Sequence, residues 1–287
     1  MKRTTRLLVY TLAASTFAAG AARAAEEPKR PWSDTADFGL VLTTGNAEST
    51  NLAFSNKFKY AWSNAELIFD AAALHNESTT VARSFDGTTL TETESTAVTA
   101  SMYALALKYR RDISPRFYWF AASSWYQNFF AGVDDRYIAG GGLGYVFVKE
   151  PRHLLRGEAG FDYTREDPLG NPVPGVPATD VLETTDYASL HLFLGYEFKI
   201  SDTAKLTEDL NFNDNLDTTS DWRALSVTAV TASLTSKLAI KVSYTVGYDN
   251  EPAFAIVDDT VAPIGPPVAV PFEKTDTILA AALVVNF

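Results

Sequence analysis

Residues 238–248, LAIKVSYTVGY, put Leu238, Ile240, Val242, Tyr244, Val246 and Tyr248 on one face and Ala239, Lys241, Ser243, Thr245 and Gly247 on the other. Alternation this strict specifies a half-buried strand and excludes an amphipathic helix, whose apolar residues recur every three or four positions. Residues 188–200 repeat the pattern, with Ala188, Leu190, Leu192, Leu194, Tyr196, Phe198 and Ile200 opposite Ser189, His191, Phe193, Gly195, Glu197 and Lys199. The same template predicts twelve strands, over 35–44, 50–62, 64–76, 95–110, 116–127, 135–147, 154–164, 186–200, 204–214, 222–234, 237–248 and 275–287. Several are longer than the ~5–6 residues usual in soluble sheets. They match the ~9–11 residues that a tilted strand needs to cross a bilayer.

The connections alternate in kind. Trp62–Asn64, Asp112–Pro115, Lys149–His153, Ser201–Ala204 and Thr235–Ser236 are short. The stretches 77–94, 128–134, 165–185, 215–221 and 249–274 are longer and polar, and two of them carry Pro-rich runs. Short turns at one rim and long loops at the other predict an all-β fold: a transmembrane, antiparallel, up-and-down β-barrel of about twelve strands. Tyr60, Trp62, Tyr109, Phe117, Trp119, Tyr145, Phe147, Tyr196 and Phe198 bunch at the short-turn ends, where a membrane interface favours such rings. The last segment, TILAAALVVNF, then reads as the closing strand. Its outward row is Thr277, Leu279, Ala281, Leu283, Val285 and Phe287, although the alternate row Ile278, Ala280, Ala282 and Val284 is apolar too. That strand must pair with the first, because hydrocarbon tolerates no unpaired edge.

The other end carries Lys2, Arg3 and Arg6, an apolar stretch from Leu7 to Ala21, and Ala22-Arg23-Ala24. This is the pattern of a secretory signal peptide over residues 1–24, leaving a barrel domain over 25–287. Its removal takes four bases and no acid, moving the formal charge from −11 to −15. So acidic a chain offers no phosphate-neutralising face and excludes nucleic-acid binding. With no cysteine there is no disulfide framework, thiol nucleophile or thiolate metal site. The expected location is the outer membrane of a Gram-negative bacterium.

The stretch FGLVLTTGNAESTNLAFSNKFKYAWSNAEL carries a strand, a Thr44-Gly45-Asn46 turn with a following Ser/Thr pair, and a long alternating strand ending in aromatics. A later echo is KISDTAKLTEDLNF, a short turn leading into an acid-bearing strand. Together these resemble a family named for salt-induced outer-membrane proteins, formally a domain of unknown function. The resemblance implies an outer-membrane barrel and supplies no catalytic residues. The terminal aromatic Phe287 likewise resembles the signal that the bacterial barrel-assembly machinery reads.

The inward rows place Lys57, Lys59, Glu66, Asp70, Lys108, Arg110, Arg156, Glu158, Asp162, His191, Glu197, Lys199, Asp209 and Asn211 against the lumen. Acids and bases alternate around that wall, which fits either an internal salt-bridge lattice plugging the barrel or a narrow pore of mixed charge. The loop rim is acidic, with Asp86, Glu92, Asp134, Asp135, Glu166, Asp167, Asp180, Glu183, Asp217, Asp221, Asp249, Glu251, Asp258 and Asp259 read as solvated charge that attracts cations or bridges to lipopolysaccharide phosphates. Outer-membrane lipids and lipopolysaccharide are the expected surroundings. The expected activity is a narrow channel or a salt- and envelope-stress-related barrel. The alternative is a plugged structural or ligand-binding barrel, and a lipid hydrolase comes third.

No enzyme site, cofactor or metal is expected. His75, on an outward row, is followed by Ser78 in the loop, but no further partner completes a hydrolase arrangement. AGGGLGYVF, residues 139–147, misses the dinucleotide fingerprint and fits close backbone approach in a barrel strand.

Overall fold

The computed structural model describes residues 30–43, 48–85, 90–128, 133–168, 184–252, 254–257, 268–271 and 274–287. The leader over residues 1–24, the Thr44-Gly45-Asn46 turn and the rim acids Asp86, Asp180, Glu183, Asp258 and Asp259 lie outside the described residues.

Twelve strands close a barrel: β1 (Trp32–Thr43), β2 (Glu48–Ala61), β3 (Ala65–Phe85), β4 (Leu90–Asp112), β5 (Phe117–Asn128), β6 (Val133–Lys149), β7 (His153–Pro168), β8 (Thr185–Lys199), β9 (Ala204–Asn215), β10 (Trp222–Ser233), β11 (Leu238–Asp249) and β14 (Thr275–Asn286). Each pairs antiparallel with its neighbours in the chain, and β14 returns to β1 with Phe38 opposite Leu283 and Thr35 opposite Asn286. Between β11 and β14 the chain makes a separate two-stranded ribbon of β12 (Phe254–Val257) and β13 (Val268–Pro271), where a polar loop is expected.

Register decides the faces. On β14, Leu279 is 74 % exposed and Val284 is 4 % exposed. Leu279 sits opposite Tyr244 and Leu283 opposite Ile240, so the row ending in Phe287 looks outward. The outward wall carries Phe54, Leu105, Phe161, Leu192 and Val242, all exposed, which in a closed barrel face lipid. At the turn end its aromatics form a girdle: Tyr60 on Trp62 at 4.7 Å, Trp62 to Tyr109 at 6.4 Å, and Tyr109 to Trp119 at 5.4 Å between ring centroids. At the loop end Trp222 stacks on Tyr248 at 4.8 Å and lies 5.8 Å from Phe212. Glu208 is a polar exception on the outward row of β9. It accepts hydrogen bonds from Ser226 Oγ at 2.7 Å and from the Thr228 hydroxyl, which supply donors that lipid cannot.

Two expected boundaries are corrected. The stretch 77–94, read as a loop, continues β3 to Phe85 and begins β4 at Leu90, with a register shift at Asn76/Glu77. Residues 93–99 are exposed throughout, so neither face needs apolar side chains and no alternation marks the strand. Ser78 therefore lies within β3.

The tight turns are held by one device used three times. Ser114, Ser201 and Thr235 each accept backbone N–H bonds from residues two and three positions on. Ser201 Oγ takes those of Thr203 and Ala204 at 3.2 and 3.0 Å. Ser201→Ala leaves both to water and is expected to cost about 1 kcal/mol, read as a lower urea midpoint of the vesicle-inserted barrel.

Candidate functional site

The fourteen residues assigned to the lumen occur on inward rows, and the register sets which of them meet. Lys57 and Asp70 are directly opposite on β2 and β3 and pair at 3.2 Å. Glu66 lies opposite Arg110 and is shared by Lys59 at 2.5 Å and Arg110 at 3.3 Å. Asp162 of β7 meets His191 Nδ1 at 3.0 Å, with Asn213 of β9 at 3.5 Å. Glu158 of β7 reaches across to β4, pairing with the Lys108 ammonium and accepting the Tyr118 hydroxyl at 2.9 Å. Aromatic faces complete this knot: Lys108 Nζ lies 4.4 Å from the Phe120 ring centroid, Arg110 stands 4.6 Å over Tyr118, and Arg156 stands 5.4 Å over Phe193. Asp209 and Glu197 belong to neighbouring inward rows, Asp209 buried and Glu197 facing the open space.

The lattice bridges several strands because the inward face of β6 is nearly free of side chains. Its inward row is Ile138, Gly140, Gly142, Gly144 and Val146, and Gly144 lies opposite both Tyr118 and Glu158. With no side chain at 144, the Tyr118 hydroxyl passes over β6 to the Glu158 carboxylate.

A second group closes the loop end, and three of its members correct the expectation of solvated rim acids. Arg136 Nε bonds Glu166 at 2.7 Å. Arg223 meets Asp249 at 3.1 Å, Asp221 at 3.3 Å and Glu166 at 3.9 Å, and donates to the Tyr187 hydroxyl at 3.3 Å. The Glu166–Arg223 contact joins β7 to β10 across the mouth. Arg136 and Arg223 fall within the expected strands 135–147 and 222–234 and on their inward parity, so the alternation itself carries the signal that assigns them to the lumen.

Alongside both groups runs a cavity of about 640 Å³. Its wall runs from Arg136, Tyr187, Asp221 and Arg223 at the loop end to Ser201–Ala204 and Ser233 at the turn end. Eight Lys or Arg and seven Asp or Glu line it, so the wall is close to neutral and a strong ionic preference must come from the mouth. Adjoining the cavity, one part of the lumen is filled: Met102, Ala104, Tyr126 and Val133 form a buried cluster, with Leu74 and Ile278 packed against it.

His75 pairs with Glu77 at 3.3 Å, while Ser78 points to the other face of β3, so the two do not form a nucleophile–base pair. His153 begins β7, stacks on Phe198 at 4.9 Å and meets the Tyr196 hydroxyl at 2.8 Å, an interface role. Among the described residues no three His, Asp or Glu converge as metal ligands.

Among solved structures the fold is similar to the NanC porin, with 10 % identity, TM-score 0.43, and 88 % of this chain and 98 % of that one covered. It is also similar to the anion-selective porin from Comamonas acidovorans, with 9 % identity, TM-score 0.39 and 89 % and 98 % covered. A third likeness is to the translocator domain of the autotransporter NalP from Neisseria meningitidis, with 13 % identity, TM-score 0.40 and 89 % and 86 % covered. No curated protein matches the chain. The closed barrel rests on its own strand pairing, and the sequence places it further: residues 36–287 match the family described as protein of unknown function DUF481, to which this chain belongs.

Proposed function

We propose that this outer-membrane barrel, exported by its first 24 residues, is a narrow, gated channel for small ions or solutes rather than an enzyme. The observation that carries the reading is the cavity, whose polar lining extends from the Arg223 cluster to the short-turn end. The near-neutral wall passes either sign of charge, and the acidic surroundings of the mouth favour cations. Arg223 acts as the latch, since it holds Glu166, Asp221 and Asp249 together over the entrance. A role in salt or envelope stress, contact with lipopolysaccharide phosphates, and recognition of the strand ending in Phe287 by the barrel-assembly machinery belong to the same proposal.

Single-channel recording in a planar bilayer under a salt gradient tests it. The wild-type barrel is expected to conduct in discrete small steps with a cation-shifted reversal potential. Arg223→Gln, which unties three carboxylates, is expected to raise the step severalfold and strengthen cation preference. A folded barrel that stays silent in both forms overturns the channel and leaves the plugged, ligand-binding barrel, for which the filled Met102–Tyr126 side is the supporting observation.

A further inference from the structure

The barrel closes unevenly. β14 pairs with β11 over the whole run from Leu238–Val285 to Tyr248–Thr275. Its pairing with β1 covers only Thr35–Asn286, Ala36–Val285, Asp37–Val284 and Phe38–Leu283, although β1 continues, paired with β2, to Thr43. The closed part is the turn-side half. There the Asp37 carboxylate pairs with Lys241 across β14, Thr35 bonds Asn286 at 3.2 Å, and the Phe287 N–H donates to the Asp34 carbonyl at 3.0 Å. Beyond it the paired ladder stops: Gly39 still lies beside the Ala281 carbonyl, but Leu40–Thr43 and Thr275–Ala280 have no pairing between them.

The depth of this gap gives it meaning. Thr275 is level with Tyr248, which belongs to the loop-end aromatic girdle, so Thr277–Ala282 lie below that girdle among acyl chains. Unpaired backbone at this depth is tolerated only where it lines a cavity or is covered. From Ile278 to Ala282 the side chains are apolar on both faces: Leu279 and Ala281 outward, Ile278, Ala280 and Ala282 inward. Ala280 is exposed although its row faces the lumen, as expected beside an opening. Immediately inside stand Leu74, Met102 and Tyr126, against which Ile278 packs, and below them the cavity begins at Ala72, Ala104 and Asp37. An apolar surface thus runs from the lipid-facing wall through the seam to the edge of a polar chamber.

We infer that the loop-side half of the β1–β14 seam is a lateral portal through which a long acyl chain bearing a compact polar head enters the lumen from the outer leaflet. The chain lies in the seam along Ile278 and Ala280, on the outer side of the packed Met102–Tyr126 cluster, and the head meets the polar chamber by Asp37, Lys57 and Asp70. The inference does not depend on ion conduction by the polar path.

Because the chain has no cysteine, single cysteines report without background. Ala280→Cys, Leu279→Cys and Ser243→Cys are each labelled with bimane and refolded into vesicles of phosphatidylcholine brominated in the acyl chain. Leu279 faces lipid, whereas Ser243 lies opposite Ala280 on the same inward face but within the fully paired β11–β14 interface. The portal requires a fluorescence loss at Ala280 comparable with that at Leu279 and far above that at Ser243. Repeating the measurement with a brominated free fatty acid in unbrominated vesicles separates the two sources of the same chemistry, and quenching by either one supports the portal. Quenching at Ala280 no greater than at Ser243 in both arms overturns it.

Discussion

Replacing Glu158 by Gln is expected to destabilise the barrel by about 3–5 kcal/mol, because it removes the carboxylate that pairs directly with the Lys108 ammonium in a buried site. Glu158 is 5 % exposed, and its two carboxylate oxygens serve different partners, the Lys108 ammonium and the Tyr118 hydroxyl. The amide keeps the shape and can still accept from Tyr118, so the loss isolates charge from packing. Tyr118→Phe removes one neutral donor to the carboxylate and is expected to cost only about 1–2 kcal/mol. Replacing the ion pair as a whole, in Lys108→Met with Glu158→Met, removes both charges together and is expected to recover most of the loss. The measurement is urea unfolding of the vesicle-inserted protein followed by tryptophan fluorescence. A Glu158→Gln midpoint equal to wild type would mean that water in the cavity solvates Lys108 and that this part of the lattice is wet.

How much of this was legible from the residues depends on what lies on each side of a strand. β8 and β11 alternate cleanly because one face meets lipid and the other a polar lumen, and their spans agree with the structure to within one or two residues. β3 and β4 beyond Asn76 were not legible: Thr79 pairs with Thr96, residues 93–99 of β4 are exposed on both faces and 77–79 of β3 are half-buried on both, and a pattern that needs one face buried and the other exposed has nothing to detect. The inward charges followed from parity alone. Their partners did not, since Lys108 and Glu158 are 50 residues apart in sequence and meet only because β6 presents glycine between their strands. The Arg223 cluster draws on β7, β10 and β11 and on the segment preceding β10, so no local window contains it. The double apolar face of β14 was visible but ambiguous, and only the short β1 register shows that it borders a gap.

The glycine row also sets the second large effect. A Cβ placed on Gly144 would lie 2.1 Å from Tyr118 Cζ and 2.6 Å from its hydroxyl oxygen, far inside contact distance. Tyr118 cannot yield: its side chain is 1 % exposed, the Arg110 guanidinium covers its ring at 4.6 Å, and its hydroxyl is held by Glu158. Gly144→Ala therefore either displaces the ring, breaking the hydrogen bond and opening the Lys108 site, or pushes β6 outward and strains its pairing with β5 and β7. Either route is expected to cost about 3 kcal/mol, at the upper end for one added methyl in a packed site. Gly39→Ala is the matched control, since its Cβ would meet Ala53 Cβ at 3.4 Å and the Ala281 carbonyl at 3.6 Å, ordinary contacts, and a change near zero is expected. The cause is tested by coupling the substitutions. If the Tyr118 ring is what Gly144 accommodates, Gly144→Ala made in a Tyr118→Ala background should cost much less than in the wild type. Equal costs in the two backgrounds would instead locate the need for glycine in the backbone of β6, and the passage from Tyr118 over β6 to Glu158 would not be what retains it.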